Sequence, residues 1–171
     1  LGSSSGGNAT FISDGATRIL VDTGNLPVFK YIRQHLAAIG EDWTALDAIF
    51  ISHYHSDHLN SNTFSIACRT NTPVYVQREV RERLAGRGWH RSWAYLGTCE
   101  AQGLVREVNG AVRIGTMEVQ TFAVPHDCAP TVGFVAAGRD GRRIGIATDL
   151  GIATAVVREH LETFLAQARR L

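Results

Sequence analysis

The sequence predicts a layered domain in which strands and helices are mixed, of the α/β or α+β class, and three observations support this prediction. In the first half of the chain, apolar runs of strand length alternate with a segment of helical spacing. The middle holds five short runs separated by turn residues. The composition, 44% hydrophobic and 19% charged over 171 residues, is that of one soluble globular domain with a substantial core.

The first half of the chain alternates strands and helices. "ATRILVDTG" is a β-branched run that closes at Gly24, and "ALDAIFIS" predicts a buried strand. "PVYVQ", residues 73–77, predicts another strand, and an Arg-rich helix is expected after it. "LPVFKYIRQHLAAIG" predicts a helix that stops at Gly40. Its apolar face consists of Phe29, Ile32, Leu36 and Ile39.

The second half predicts short strands and then a helix. The runs "GLVREVN", "AVRIG", "MEVQTFAVPH", "TVGFVAAG" and "RRIGIATD" read as strands, and "GRDG" at 138–141 is a hairpin signal between the last two. The chain closes with apolar residues at helical spacing, which predict an amphipathic helix. They are Val157, Leu161, Phe164, Ala168 and Leu171.

Charge and cysteine content narrow the classes of function. The formal net charge is only +1, so no global electrostatic argument favours nucleic-acid or membrane binding. The three cysteines, at positions 68, 99 and 128, have no CxxC spacing, which favours neither a disulfide framework nor a structural zinc site. We therefore expect a reducing, cytoplasmic compartment. No run approaches the roughly 18 apolar residues of a membrane span, so no membrane partner is predicted.

The stretch "FISHYHSDHLN", residues 50–60, concentrates metal-ligand side chains just after a predicted buried strand. His53 and His55 are two apart in an extended segment, so their imidazoles can point to the same side. Asp57 and His58 follow as the chain turns, and can face a second position. Two adjacent divalent ions, one for each pair, explain this density of ligands.

Four ligands cannot complete two sites, because a catalytic zinc takes about three protein ligands and a water. Two further candidates stand at the ends of later predicted strands. His126 follows "TFAVP", and Asp149 follows "IGIAT". A carboxylate such as Asp149 can bridge two cations with its two oxygens.

These motifs resemble those of the metallo-β-lactamase superfamily. "SHYHSDH" matches the HxHxDH signature, "LVDTG" the first motif with Asp22, "PH" the third motif with His126, and "ATDLG" the fourth motif with Asp149. The resemblance implies an α+β domain with an αββα sandwich and a dinuclear site at one edge, between the two sheets. It implies a hydrolase that uses a metal-bound hydroxide, formed because two cations lower the pKa of water from about 15.7 toward about 7.

The resemblance also implies the role of each residue. We assign His53, His55 and His126 to the first metal. We assign Asp57 and His58 to the second metal, and Asp149 to the bridge, so that Asp57 and Asp149 are the catalytic carboxylates. Asp22 is expected to orient a ligand imidazole. Zinc is the first expectation for the two ions, with manganese or iron as alternatives, since His and Asp ligands suit all three.

Within the superfamily, the chain is similar to the WalJ (YycJ) type of DNA exonuclease-like hydrolases. The similarity lies in "LGSSSGGNAT" at the start and in "VPHDCAPTVGFVAAGRDGRRIGIATDLG". Phosphonate-pathway cyclic phosphodiesterases and transfer-RNA-processing ribonucleases share the main motifs. The first expectation is therefore a phosphodiesterase or nuclease acting on DNA. The alternatives are hydrolysis of a small ester, thioester or lactone, and a non-catalytic metal-binding fragment.

One motif of the family is missing. Members have a further His beyond the fourth-motif aspartate, commonly in a "GHLS" segment, whereas the only later His of this chain is His160, inside the predicted helix. The chain also starts with Leu rather than Met. We expect residues 1–171 to form a single metallo-β-lactamase-like domain that is incomplete at both ends and C-terminally truncated, with a defective second metal site.

Two segments are weaker candidates for substrate contacts. "QREVRERLAGRGWHRSW" interleaves five Arg with Trp89 and Trp93, which suits phosphate contacts and base stacking, and Arg87 and Arg91 are the residues we single out. A solvated, charge-laced helix face is the alternative, because glutamates interrupt the run. Asn8, in the "GSSSGGN" loop, is the second candidate, since that loop either offers N–H groups to a phosphate or is an ordinary turn.

Overall fold

Two stacked β-sheets dominate the computed structural model, which describes residues 7–24, 28–86, 93–128, 130–150, 158, 159 and 162. The strands are β1 (Thr10–Ser13), β2 (Arg18–Val21), β3 (Ala48–Phe50), β4 (Val74–Val76), β5 (Val105–Glu107), β6 (Ala111–Ile114), β7 (Met117–Ala123), β8 (Val132–Ala137) and β9 (Arg143–Ile146). The helices are α1 (Val28–Ala38), α2 (Ser61–Thr70), α3 (Arg78–Gly86) and α4 (Leu96–Ala101), with a 3₁₀ turn at Trp43–Ala45.

The two sheets differ in strand direction. The first has the order β1-β2-β3-β4-β5, in which β1 pairs antiparallel with β2 and the other neighbours are parallel. The second has the order β6-β7-β8-β9 and is antiparallel throughout. Because parallel strands end at the same edge of a sheet, the first sheet brings the segments that follow β2, β3 and β4 together.

The parallel strands are apolar on both faces, because each face of the first sheet is covered. One face packs against helices, where Leu20 and Ile49 share a core with Leu36 of α1 and with residues of α2, α3 and α4. The other face packs against the second sheet. There the Phe50 ring meets that of Phe134 edge-on, with centroids 5.5 Å apart, so an aromatic contact joins the two sheets.

The predicted α+β class is confirmed, and so are the predicted strands and the Arg-rich helix α3. The "GRDG" hairpin joins β8 to β9, closed by a bond from Gly138 N–H to the Arg142 carbonyl. The helix at α1 is also confirmed, with Ile32 and Leu36 of its predicted face buried, whereas the side chain of Phe29 lies outside the described ones and Ile39 is wrong. Ile39 lies beyond the helix end, next to the left-handed Gly40, and is 62% exposed. The apolar positions predicted for the C-terminal helix lie outside the described residues.

Helix α2, which begins directly after the histidine cluster, was not predicted from the sequence. Asn60 caps this helix through its side chain, Thr63 returns a bond to the Asn60 N–H, and the left-handed Asn71 ends it. The short helix α4 and strand β1 were missed as well. Within the described part of the chain, none of the helices has the length and apolarity that crossing a membrane requires.

Candidate metal centre

Strand ends from both sheets meet at one edge of the sandwich. Asp22 directly follows β2, and Ser52 and His53 follow β3. From the second sheet, β7 leads to His126 and β9 leads to Asp149. Two backbone bonds fix this edge, from Asp22 N–H to the Phe50 carbonyl at 2.8 Å and from Val132 N–H to the Ser52 carbonyl at 3.0 Å. The second bond ties one sheet to the other beside the cluster.

Three histidines form the first group of potential ligands. His53 Nε2 lies 3.1 Å from His55 Nδ1, and His126 Nε2 lies 3.3 Å from the same atom. Tetrahedral zinc, with Zn–N bonds of about 2.0–2.1 Å, places ligand nitrogens about 3.3–3.4 Å apart. The three imidazoles are thus spaced as ligands of one cation, so the residues present fit a divalent metal.

A second group surrounds His58. His58 Nε2 is buried and lies 2.8 Å from Asp149 Oδ2 and 3.5 Å from Asp57 Oδ2. Despite the short distance to Asp149, this nitrogen makes no hydrogen bond of acceptable geometry. A buried imidazole nitrogen that faces carboxylates without donating to them fits a metal ligand better than a hydrogen-bond donor. The nitrogen therefore supports a cation at this second position too.

Asp149 stands between the two groups. Its Oδ2 is 2.8 Å from His58 Nε2 and 3.5 Å from His53 Nε2. Its backbone adopts a left-handed conformation with φ of 53°, which Asp tolerates better than most residues. Potential ligand atoms of His53, His58 and Asp149 lie within 4.8 Å of one another. The carboxylate is therefore within reach of cations in both groups.

Asp22 and Ser52 orient two of these imidazoles. Asp22 is fully buried, and its Oδ2 lies 2.8 Å from His58 Nδ1. The same carboxylate accepts from the Ser52 amide at 2.8 Å and from the Ser52 hydroxyl at 2.7 Å. Ser52 Oγ in turn lies 3.0 Å from His53 Nδ1. Both Nδ1 atoms are engaged from behind, so both Nε2 atoms are left facing the site.

The electrostatics of the two buried imidazoles are opposite. Burial, with a contribution from the charge of His58, lowers the pKa of His53 to about 4, which keeps its ring neutral and able to bind a metal. Burial also disfavours the charged form of His58. The hydrogen bond and charge of Asp22 and the charges of Asp57 and Asp149 outweigh this penalty and raise the pKa of His58. The second position therefore favours positive charge.

Polar contacts hold the loop that carries the ligands. The Thr23 hydroxyl donates to the His58 carbonyl at 3.1 Å and lies 2.7 Å from the Thr63 hydroxyl. The Asn60 amide donates to the Ser56 carbonyl at 2.8 Å. All three side chains belong to buried residues, so the ligand loop is fixed by internal partners rather than by solvent.

The structure thus brings six of the predicted residues together at one edge, with the predicted supporting residue behind them. The six are His53, His55, Asp57, His58, His126 and Asp149. Asn8 is half-buried just before β1, and no hydrogen bond or ion pair among the described residues joins it to this group. Arg87, Arg91 and His160 lie outside the described residues.

Three side chains at or next to the centre were not predicted from the sequence. Ser52 and Tyr54 lie within the histidine stretch, and Arg83 lies within the Arg-rich stretch and contacts Tyr54. Ser52 could have been found, since a hydroxyl next to ligand histidines is a common supporting partner. Arg83 could not, because its place depends on a tertiary contact with Tyr54.

Comparison with known proteins identifies the family. Residues 17–167 match the protein-family model described as "Beta-lactamase superfamily domain". The chain belongs to the β-lactamase superfamily. Members of the superfamily are metal-dependent hydrolases that usually bind zinc. The centre described above is therefore a candidate metal centre on family grounds as well as on geometry.

Among curated proteins, the chain is similar to the exodeoxyribonuclease WalJ of Streptococcus pneumoniae. The two are 27% identical over 172 aligned residues, which cover 98% of this chain and 60% of the relative. The chain thus spans about 60% of the length of the curated relatives that it matches.

Among solved structures, the chain has the fold of metallo-β-lactamases. A metallo-β-lactamase from Cronobacter sakazakii gives a TM-score of 0.63 at 16% identity, covering 95% of this chain and 66% of that one. GOB-18 from Elizabethkingia meningoseptica gives a TM-score of 0.62 at 15% identity, covering 94% of this chain and 64% of that one. At such identities the similarity establishes the fold alone.

Proposed function

We propose that this protein is a metal-dependent phosphodiesterase that acts on DNA. The observation that carries the proposal is the position of Asp149, whose Oδ2 lies 3.5 Å from His53 Nε2 and 2.8 Å from His58 Nε2. A carboxylate between two imidazole groups suits a pair of cations about 3.5–4 Å apart, an arrangement common in phosphatases and nucleases. The similarity to an exodeoxyribonuclease along nearly the whole chain points to DNA.

In this proposal, histidines and carboxylates together would hold two metal ions. His53, His55 and His126 would hold one divalent cation, and His58 with Asp57 would hold the other, with Asp149 within reach of both groups. When bound, such a pair of cations activates a water and neutralises charge on the attacked group. Asp22 and Ser52 keep the Nδ1 protons of His58 and His53 away from the metals.

The open side of the centre is lined by carboxylates. The side chains of Asp57 and Asp149 are 34% and 32% exposed, whereas those of His53 and His58 have no exposed surface. A phosphodiester would therefore approach from the side of Asp57 and Asp149. We infer that one of these two carboxylates accepts the proton lost by the attacking water.

Two measurements test the proposal. Metal analysis of the purified protein should find two equivalents of zinc or manganese, and absence of bound metal would refute the enzyme. The protein is then incubated with end-labelled DNA, bis-(p-nitrophenyl) phosphate and a panel of lactones. DNA cleavage that chelation abolishes is the expected result. Turnover of lactones alone would refute the phosphodiesterase, and metal binding without any turnover would favour the non-catalytic alternative.

A further inference from the structure

Tyr54 connects the metal centre to helix α3. It stands between His53 and His55 in the sequence, and its half-buried ring meets that of His55 edge-on, with centroids 5.5 Å apart. The guanidinium carbon of Arg83 lies 4.2 Å from the centroid of the Tyr54 ring. A cation is thus held on the ring that borders a metal-ligand candidate.

Arg83 differs from the other described arginines of α3. Arg78 pairs with Glu82 at 2.9 Å and Arg81 pairs with Glu107 at 3.1 Å, with side chains 74% and 48% exposed. Arg83 is half-buried instead, and no carboxylate of a described residue lies within salt-bridge distance of it. Arg78 and Arg81 belong to a charge-laced surface, whereas Arg83 has no carboxylate partner among the described residues and lies over Tyr54, whose ring contacts that of His55.

The hydrogen-bonding groups of Arg83 are available, because no hydrogen bond to another described residue occupies its N–H donors. A guanidinium that contacts an aromatic ring keeps its N–H donors for other partners. Those donors match the spacing of two oxygens of a phosphate. The ring of Tyr54 limits the rotamers of Arg83, so less side-chain freedom remains to be lost when an anion binds.

We propose that Arg83, held on the ring of Tyr54, binds a backbone phosphate of a nucleic-acid strand next to the phosphodiester at the metal centre. This inference rests on the proposed phosphodiesterase function and narrows its substrate to a polymer. A diester with a single phosphate occupies the centre without using Arg83. A nucleic-acid strand uses both positions, which gives the site its preference for chains over small diesters.

Binding tests the inference without turnover. Affinity for a fluorescein-labelled single-stranded oligonucleotide with cleavage-resistant phosphorothioate linkages is measured by anisotropy on the metal-loaded protein, so that nothing is cleaved. R83Q should raise Kd about 10-fold, as expected for the loss of a charge-assisted contact. The slope of log Kd against the logarithm of the salt concentration should decrease by about 0.7, the value for one phosphate contact on a single strand. R81Q, which removes a paired arginine of the same helix, is the matched control and should change neither quantity.

The stacking partner has its own test. Y54L removes the ring and should weaken oligonucleotide binding about as much as R83Q does, whereas Y54F keeps the ring and should restore most of the affinity. R83K keeps the charge without the planar fork and should fall between wild type and R83Q. A purely structural role for the pair would instead lower the melting temperature of R83Q and Y54L without changing the salt slope.

Turnover separates this inference from the proposed function. With metal present, R83Q should lower kcat/KM for the oligonucleotide about 10-fold more than for bis-(p-nitrophenyl) phosphate, mainly through KM. Equal losses on both substrates would overturn the proposed Arg83 contact, and so would an R83Q variant that behaves like R81Q. In either case, cleavage of DNA by the wild-type protein would still support the proposed phosphodiesterase function. Arg83-dependent binding by a protein that cleaves no phosphodiester would refute the function alone. Absence of oligonucleotide binding by wild type at low salt would overturn the inference.

Discussion

Replacing Asp22 by Asn should cost the centre its second cation while leaving the fold in place. Asp22 is fully buried, and its φ of 58° is one that Asn also tolerates, so the substitution preserves shape and backbone. The carboxylate faces three N–H or O–H groups, the amide and hydroxyl of Ser52 and Nδ1 of His58, at 2.7–2.8 Å. An Asn side chain can accept with only one of its two end atoms.

The consequence reaches the ligand atom of His58. If the Asn oxygen keeps the bond from the Ser52 amide, its NH₂ group occupies the place of Oδ2 and faces His58 Nδ1. That nitrogen must then accept, which moves the ring proton to Nε2, the atom that should bind the metal. Loss of such a supporting partner typically costs 10–100-fold in metal affinity, or about 1.4–2.7 kcal/mol at about 1.36 kcal/mol per tenfold.

The assay is zinc titration against a chromophoric chelator for wild type, D22N and D47N. Asp47 also accepts from a backbone N–H, that of Arg18, but it is exposed and precedes β3, whereas the histidine cluster follows the other end of that strand, so D47N controls for loss of a carboxylate. One of two zinc sites should weaken in D22N only. Nitrogen NMR of the His58 ring at alkaline pH should report the proton on Nε2 in D22N and on Nδ1 in wild type. Two undiminished zinc affinities in D22N would refute the orientation argument.

Three further results are expected. H55A and D57A should each abolish turnover, by more than about 10³-fold for lost metal catalysis, with unchanged circular dichroism; near-normal rates in either would contradict the ligand assignment. G133A should lower the free energy of unfolding by about 1–3 kcal/mol in thermal melts, because a Cβ there would meet the Phe122 ring at 2.3 Å; an unchanged melting temperature would mean that the ring moves aside freely. In EDTA, the free energy of unfolding should fall on acidification from about pH 6.5 to about pH 4. The pKa of His53 is lowered to about 4 in the folded protein, so the unfolded chain binds a proton first as the pH falls. Added zinc should deepen that loss, and a flat profile without metal would contradict a buried neutral His53.

The strands were predictable because burial on both faces leaves a clear record in the sequence. Ile49 and Val74 lie in three-residue strands that are buried throughout, and short apolar runs report such strands well. Helix α2 was missed because its cap uses Asn60 with Thr63 instead of the Ser/Thr and Glu/Gln pair that marks most capping boxes. Ile39 was misplaced because periodicity does not say where the helix stops.

The candidate ligands were predictable from residue type and strand position, but their geometry was not. His126 and His55 are 71 positions apart in the chain, and they meet only because the second sheet stacks on the first. The reach of Asp149 depends on a left-handed backbone that its sequence only permits. The Arg83 contact with Tyr54 depends on packing between a helix and a loop. Sequence pattern reports periodicity and chemistry, whereas these features are set by tertiary contacts.

The hydrogen bond from Val132 to Ser52 marks the line along which the two sheets are joined, and the candidate ligands lie on both sides of that line. The segment with His53, His55, Asp57 and His58 follows a strand of one sheet, and His126 and Asp149 follow strands of the other. A cation bound by both sets would act as a removable cross-link between the layers, closing a long loop of chain much as a disulfide does. Metal supply would then govern the mechanical integrity of the sandwich as well as its chemistry, and a metal-starved protein would be the form that proteases open first.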